Sequence, residues 1–345
     1  MPTPPRRIGI LLVNLGTPDS PQTGDVRRYL NEFLTDARVI DMPAAVRYPL
    51  FQGLVVPLRA PKSAKIYQQL WDAERGSPLL FHGLDLKQLV QQELGDGYVV
   101  AFGMRYQKPS IEQALEELRD AAVDRIVVLP LFPQYAAAST GSVQEKVMDI
   151  VSKWWVVPSI NFISSFADEP GFISSFVARG QAEMAKHDYD HVVFSYHGIP
   201  ERHVLKGSFK GYCQLGKCCN TYNKNNRYCY RAQCFATSRL LAEGLGLRDD
   251  QYTVTFQSRL QSRLRDPWLQ PYTDEVIKDF PAKGIKKVLA FSPAFVADCL
   301  ETTIEVGMEF RELFEENGGE HWQLVPSLNS EPQWVTAVAD MLRKS

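Results

Sequence analysis

The stretch His191-Val-Val-Phe-Ser-Tyr-His-Gly-Ile-Pro-Glu-Arg-His203 decides how this chain reads. Its first half, His191 to Tyr196, is a β-branched and aromatic run, the composition of a buried strand. His197-Gly198 falls where that strand ends, and Ile199-Pro200 stops an immediate helix, because the residue before a proline is pushed out of the α region. Ligands of open α/β sheets bind beyond the carboxyl ends of the strands. A histidine placed there, with an ordinary pKa of about 6.5, is a candidate base. A hydrogen-bonded structural histidine fits the position equally well on these residues alone.

Outward from this strand, the chain alternates strand and helix patterns. Strands are predicted at 8–13, 98–104, 125–132 and 156–162 in the first half, and at 191–196, 252–256, 287–291 and 322–325 in the second. Between them lie helical patterns, notably 110–122. Ser110 is its candidate N-cap, and Gln113 stands three residues on to complete a capping box. About four strands per half, alternating with helices, imply two parallel-sheet α/β domains, placed at 1–165 and 166–345. The helix after Pro332 is a candidate to pack back across that boundary. The strand ends gather polar and aromatic residues, among them Asn14, Arg105-Tyr106, Gln257-Ser258 and the run from Ser292 to Asp298.

Composition narrows the partners. With 345 residues, 45% hydrophobic and 23% charged, the chain is an ordinary globular protein of two-domain size. A net charge of −2 gives no general reason to expect nucleic acid. No apolar run approaches the roughly 18 residues of a membrane span. The start, Met1-Pro-Thr-Pro-Pro-Arg-Arg7, lacks a signal-peptide layout, so a cytoplasmic location is expected. Residues 44–67 stand out, with Val46, Tyr48, Leu54, Val55 and Leu58 crowded among three prolines. They read as a helix-and-loop lid or as an apolar lip that touches a greasy ligand or a membrane surface.

A row of carboxylates follows the strand at 287–291. At 3.6 residues per turn, Asp298, Glu301 and Glu305 share one helical face, and Glu309 extends it. A solvated acidic face is the bland alternative to a row of oxygen ligands and proton acceptors.

At these residues the chain resembles the ferrochelatases, which insert Fe(II) into a porphyrin. The resemblance rests on Leu12-Val-Asn-Leu-Gly-Thr-Pro18, Tyr29-Leu-Asn-Glu-Phe-Leu34, Gly76-Ser-Pro-Leu79, Met104-Arg-Tyr106 and Leu131-Phe-Pro-Gln-Tyr135. Later come Ser195-Tyr-His-Gly-Ile-Pro200, Phe256-Gln-Ser-Arg259, Trp268-Leu-Gln-Pro271 and Phe295-Val-Ala-Asp-Cys-Leu-Glu-Thr302. The pieces run in family order along nearly the whole chain. The resemblance implies two similar Rossmann-like domains with the porphyrin in the cleft between them. It implies His197 and Glu301 as the catalytic histidine and glutamate on opposite sides of the macrocycle, both in contact with the iron, with Glu305 and Asp298 behind. It also implies Tyr106, Trp268 and Phe295 as pocket residues and Arg105 as a partner for a propionate. One departure is local: the family's glycine after Gln257-Ser258 is missing, and Gln-Ser-Arg-Leu is doubled instead.

Five of the six cysteines lie in Gly211-Tyr-Cys-Gln-Leu-Gly-Lys-Cys-Cys-Asn-Thr-Tyr-Asn-Lys-Asn-Asn-Arg-Tyr-Cys-Tyr-Arg-Ala-Gln-Cys234, within an insert at 205–234. Four sulfurs suit a [2Fe–2S] cluster or a structural zinc, though the spacing matches neither the zinc-ribbon nor the plant-type ferredoxin run. Some ferrochelatases carry a [2Fe–2S] cluster on such a segment, which implies that cofactor here. The chosen ligands are Cys213, Cys218, Cys219 and Cys229. Cys234 is left out because Gln233-Cys234-Phe-Ala-Thr237 resembles a piece of family members without a cluster. A zinc-knuckle nucleic-acid module is disfavoured, since the insert interrupts an enzyme motif. The competing functions are a cobalt-loading chelatase and a non-catalytic haem or iron–sulfur carrier. Tyr196, Trp268 and Phe295 argue against the first, and intact His197 and Glu301 against the second.

Overall fold

The structure, a computed structural model, describes residues 7–259 and 266–345; most of the doubled Gln-Ser-Arg-Leu loop lies outside them. The chain divides into two compact units. One comprises residues up to Phe132, Ala137–Ser164 and Asn329–Ser345; the other comprises Pro133–Ala136 and Ser165–Leu328.

The first unit runs β1 (Ile8–Gly16), α1 (Thr23–Leu34), α2 (Ala44–Leu50), α3 (Val56–Leu70), α4 (Pro78–Leu94), β2 (Tyr98–Tyr106), α5 (Ile111–Asp120), β3 (Arg125–Pro130), α6 (Ser142–Val151) and β4 (Ser159–Phe162). Its sheet is parallel throughout, in the order β2-β1-β3-β4. Ile10, Leu11, Leu12 and Val13 of β1 are fully buried, as expected of a central strand covered on both faces. The capping box forms as its spacing predicts: Ser110 Oγ accepts from Gln113 N at 3.1 Å and Gln113 Oε1 accepts from Ser110 N at 2.9 Å. The strand predicted from 156 begins only at Ser159, because Trp155, Val156 and Val157 stand out in solvent rather than pairing.

Residues 44–67 differ from the expected helix-and-loop lid. They are helical throughout, α2 joining α3 through a π-turn at Phe51–Val55, with Pro49 and Pro61 inside the helices. Ala60, Ala64 and Tyr67 hold one face inward, where Tyr67 meets Tyr29 edge to face at 6.2 Å. Buried packing of this kind offsets the hydrogen bonds that proline removes.

The second unit runs α7 (Pro170–Met184), β5 (His191–His197), α8 (Glu201–Lys206), α9 (Tyr230–Leu245), β6 (Tyr252–Gln257), α10 (Thr273–Asp279), β7 (Lys287–Phe291), a π-helix (Leu300–Glu309), α11 (Phe310–Glu316) and β8 (His321–Leu324). Its sheet is again parallel, in the order β6-β5-β7-β8. In both units the first strand is the second across the sheet, which is the arrangement of two similar Rossmann-like domains. The last helix, α12 (Pro332–Arg343), belongs to the first unit rather than to a continuous 166–345 domain. It lies along α4, with Trp334, Val338 and Leu342 fully buried and Arg343 donating to Glu93 O at 2.7 Å.

Candidate functional site

The site forms in the second unit, at the carboxyl ends of β5 and β6. β5 is buried from His191 to Tyr196 and delivers His197, half-buried, at its end. The next residue has to be small. A Cβ on Gly198 would stand 2.8 Å from Gln257 O and 3.4 Å from the Trp268 ring. Without it, Gly198 N bonds Gln257 O at 2.8 Å, and His197 and Gln257 stay in register. Trp268 is held in place by pairing with Pro200 and by the bond from Leu269 N to Ile199 O at 3.0 Å.

The imidazole is oriented by its own backbone. His197 Nδ1 lies 2.7 Å from Gly198 O. A carbonyl oxygen only accepts, so Nδ1 carries the proton and Nε2 presents a lone pair in the neutral ring. Tyr230 Oη donates to His197 O at 2.8 Å, and the Phe295 ring sits 6.3 Å from the imidazole.

The carboxylates are arranged differently from a simple α-helical face. Residues Leu300–Glu309 form a π-helix, capped by the extended residue Cys299, whose N–H donates to Thr302 Oγ1 at 2.9 Å. Asp298 therefore lies before the helix, where its Oδ1 accepts from Ser327 N at 3.2 Å. Glu301 and Glu305 remain on the helix. A long π-helix is rare and tends to mark functional sites.

Glu305 is tied to the end of β6. Ser258 N donates to Oε1 at 2.8 Å, Ser258 Oγ donates to Oε2, and Gln257 Nε2 donates to Oε2 at 3.3 Å. Gln257 Nε2 also donates to Glu301 O at 3.3 Å. Ser258 reaches Glu305 twice because it adopts a left-handed backbone, φ 61°. Gln257 is fixed from below: its Oε1 accepts from Ser195 Oγ at 2.7 Å, Ser195 Oγ lies 2.9 Å from Thr273 Oγ1, and Thr273 Oγ1 donates to Thr255 Oγ1 at 2.9 Å. Burial pushes the Glu305 carboxyl above its usual range, against the Ser258 bonds and the His197 charge that favour ionisation; the nearby Glu301 raises it further. Gln257 and Ser258 were visible in sequence only as polar residues after a strand, with nothing to assign them to Glu305.

Arg105 and Tyr106 lie in the first unit, where their polar groups converge on Asp36. Arg105 Nη2 lies 2.6 Å from Asp36 Oδ2, and Arg105 Nε donates to Ser142 Oγ at 2.6 Å. Tyr106 Oη donates to the same Oδ2 at 2.8 Å, and the Tyr106 side chain has no exposed surface. Burial works against the Asp36 charge, but bonds from Ser142 and Arg38 N, the Arg105 charge and the Tyr106 bond together hold its pKa below the usual carboxylate value. Thus the guanidinium predicted to meet a propionate is committed to Asp36, and the ring predicted to line a pocket is enclosed. Asp36 gave no signal in sequence, the side chains that bond it being 69 to 106 residues away.

The family model described as Ferrochelatase matches residues 7–345. The chain belongs to the ferrochelatase family. A ferrochelatase of Coxiella burnetii (strain CbuK_Q154) is 45% identical over 344 residues, covering 98% of this chain and 94% of that protein. One from Legionella pneumophila (strain Lens) is 46% identical over 341 residues, covering 98% and 99%. The solved structure of "SirB from Bacillus subtilis with Fe3+" aligns over 98% of this chain and 95% of its own, with a TM-score of 0.51 and 13% identity, a likeness of fold.

In this ferrochelatase-family chain the cysteine segment is a loop with its own internal order. Asn226 is buried and donates to Cys218 O at 3.1 Å and Thr221 O at 2.8 Å, while accepting from Asn223 N at 2.7 Å. All six cysteines are free thiols. Cys213 and Cys218 interact, and Cys219 and Cys229 interact, with Cys229 also feeling the charge of Cys213 and Cys218. Burial, then the Cys218 neighbour, pushes the Cys213 thiol up to about 11. The bond with Cys229 and burial raise Cys219, and the same bond lowers Cys229. Gln214 N donates to Cys218 Sγ at 3.3 Å. Cys234 is enclosed beside Tyr230, and burial raises its thiol. Among the described residues, no three His, Cys, Asp or Glu side chains already form a site for a single metal ion, and no helix is long and apolar enough to cross a membrane.

Proposed function

We propose that this chain inserts Fe(II) into a porphyrin, protoporphyrin IX or coproporphyrin III, to give haem, and that His197 and Glu301 carry the exchange. In balance, one Fe(II) enters and two pyrrole protons leave. His197 is suited to accept a pyrrole proton, because its Nδ1–H is spent on Gly198 O and only Nε2 is open. Glu305, whose buried carboxyl favours a proton, is placed to take protons onward, and Glu301 on the same π-helix offers the iron an oxygen ligand. Trp268 and Phe295 supply apolar walls against which the ring is held. The observation that carries this reading is the oriented, half-buried imidazole at the end of β5, beside a carboxyl whose pKa burial raises. His197→Ala should leave porphyrin binding, followed by fluorescence quenching, nearly unchanged and lower insertion by about 10²- to 10⁴-fold. Retained turnover would remove the imidazole from the mechanism.

We further propose that Cys213, Cys218, Cys219 and Cys229 hold a [2Fe–2S] cluster. The donor set fits: Cys213 lies beside Cys218 and Cys219 bonds Cys229, Cys219 is enclosed, and the Cys213 and Cys219 thiols, pushed up by burial and by their sulfur neighbours, are relieved by a cationic partner. A backbone N–H already aimed at Cys218 Sγ is the kind of bond that tunes cluster sulfurs. Such a group supplies one-electron redox chemistry, and no step of metal insertion runs through it here. Anaerobically purified protein should contain two irons and two acid-labile sulfides per chain; about one zinc and no sulfide would make the segment a structural clip. Val46, Tyr48, Leu54 and Leu58, all exposed on α2, α3 and their joint, support peripheral membrane contact by residues 44–67 of a cytoplasmic enzyme. Co-sedimentation with vesicles that Leu58→Ser weakens would bear this out.

A further inference from the structure

At the amino-terminal edge of the second unit's sheet, away from His197, three rings meet. His187, in the link from α7 to β5, lies 4.8 Å from His321, the first residue of β8. Tyr189 lies 5.6 Å from His321 and 6.4 Å from His187, centroid to centroid. His321 Nε2 and Tyr189 Oη are both buried atoms with no hydrogen-bond partner among the described residues. Buried polar atoms are rarely left so, and two adjacent orphans call for a shared occupant. His187 is exposed, which gives that occupant a way in.

We propose that His187 and His321 form a binding site for a divalent first-row cation of the kind imidazole favours, such as Zn(II). The two ring nitrogens are borderline donors suited to such ions. Tyr189 Oη donates to a water on the cation, which satisfies the second orphan without ionising the phenol. No third protein ligand is preformed, so water fills the remaining positions and the ion exchanges readily. The surrounding charges divide. Glu315 favours positive charge at His321, while Lys287 and the companion His187 oppose it; Glu183 acts on Tyr189.

Equilibrium dialysis of the purified holoprotein against Zn(II) at about pH 7.5, with zinc counted per chain, tests this. The unaltered protein should hold one zinc more than either His187→Ala or His321→Gln. Equal zinc in the unaltered protein and His187→Ala overturns the proposal, as does loss in His321→Gln alone, and either would leave water as the occupant. His187 is exposed, so its variant tests the site even if the His321 variant folds poorly. Metal-insertion turnover should match in both variants, which keeps this outcome separate from that of the His197 reading.

Discussion

Two carboxylates, Asp36 in the first unit and Glu305 in the second, are withdrawn from water and hydrogen-bonded by serine hydroxyls, yet their protons behave oppositely. Asp36 accepts from Ser142, Tyr106 and Arg38 N and has the Arg105 guanidinium at 2.6 Å; its pKa falls. Glu305 accepts from Ser258 and Gln257, with no lysine or arginine bonded to it among the described residues, and its pKa rises. Neutral donors alone do not offset desolvation; the adjacent cation decides. The paired carboxylate is structural.

The comparison can be broken most forcefully at Asp36. Asp36→Asn strands the Arg105 charge in a site where its side chain is 14% exposed, and should destabilise by about 3–5 kcal/mol in urea unfolding. A loss below about 1 kcal/mol would class the pair with ordinary surface ion pairs. Next, Glu305→Gln should slow metal insertion on the order of a hundredfold and remove the acid limb of the rate profile, because Gln takes up no proton. An unchanged limb would assign it to another group.

Stability against pH separates the two carboxylates by sign. Asp36, depressed on folding, contributes stability that is full above its unfolded value of about 3.9 and is lost as pH falls through its lower folded value. Glu305, raised on folding, favours the native state below its unfolded value of about 4.3, and that contribution disappears as pH rises through the raised value. Asp36→Asn should therefore flatten the curve below about pH 4, and Glu305→Gln the curve above it, in melts taken across that range. Both variants flattening the same window would refute the distinction. Smallest is Ser110→Ala, which should cost about 1 kcal/mol with turnover unchanged, since the α5 cap touches neither cluster.

Much of this was legible in the sequence where the signal is local. The β-branched, aromatic and apolar runs marked the strands, Ser110-x-x-Gln113 marked a helix start, and His197-Gly198 marked a strand end. What escaped depends on contacts far apart in the chain. Leu300–Glu309 winds as a π-helix from its Cys299 cap, packs against β8 and accepts a bond from Gln257 of β6, and a 3.6-residue period could not foresee that winding. Pro49 and Pro61 argued for loop at 44–67, but the buried stripe on α3 prevailed. Asp36 had no local mark at all, whereas its partner Arg105 did, and so the Arg105–Asp36 pair could not be foreseen.

The placement of α12 bears on how the molecule is made. The first unit keeps a gap beside α4 that Trp334, Val338 and Leu342 fill, and these leave the ribosome only after the whole of the second unit. The unit synthesised first is thus completed last. Until then the apolar side of α4 is uncovered on a nascent chain whose other unit is already able to close, a window in which a chaperone has something to hold.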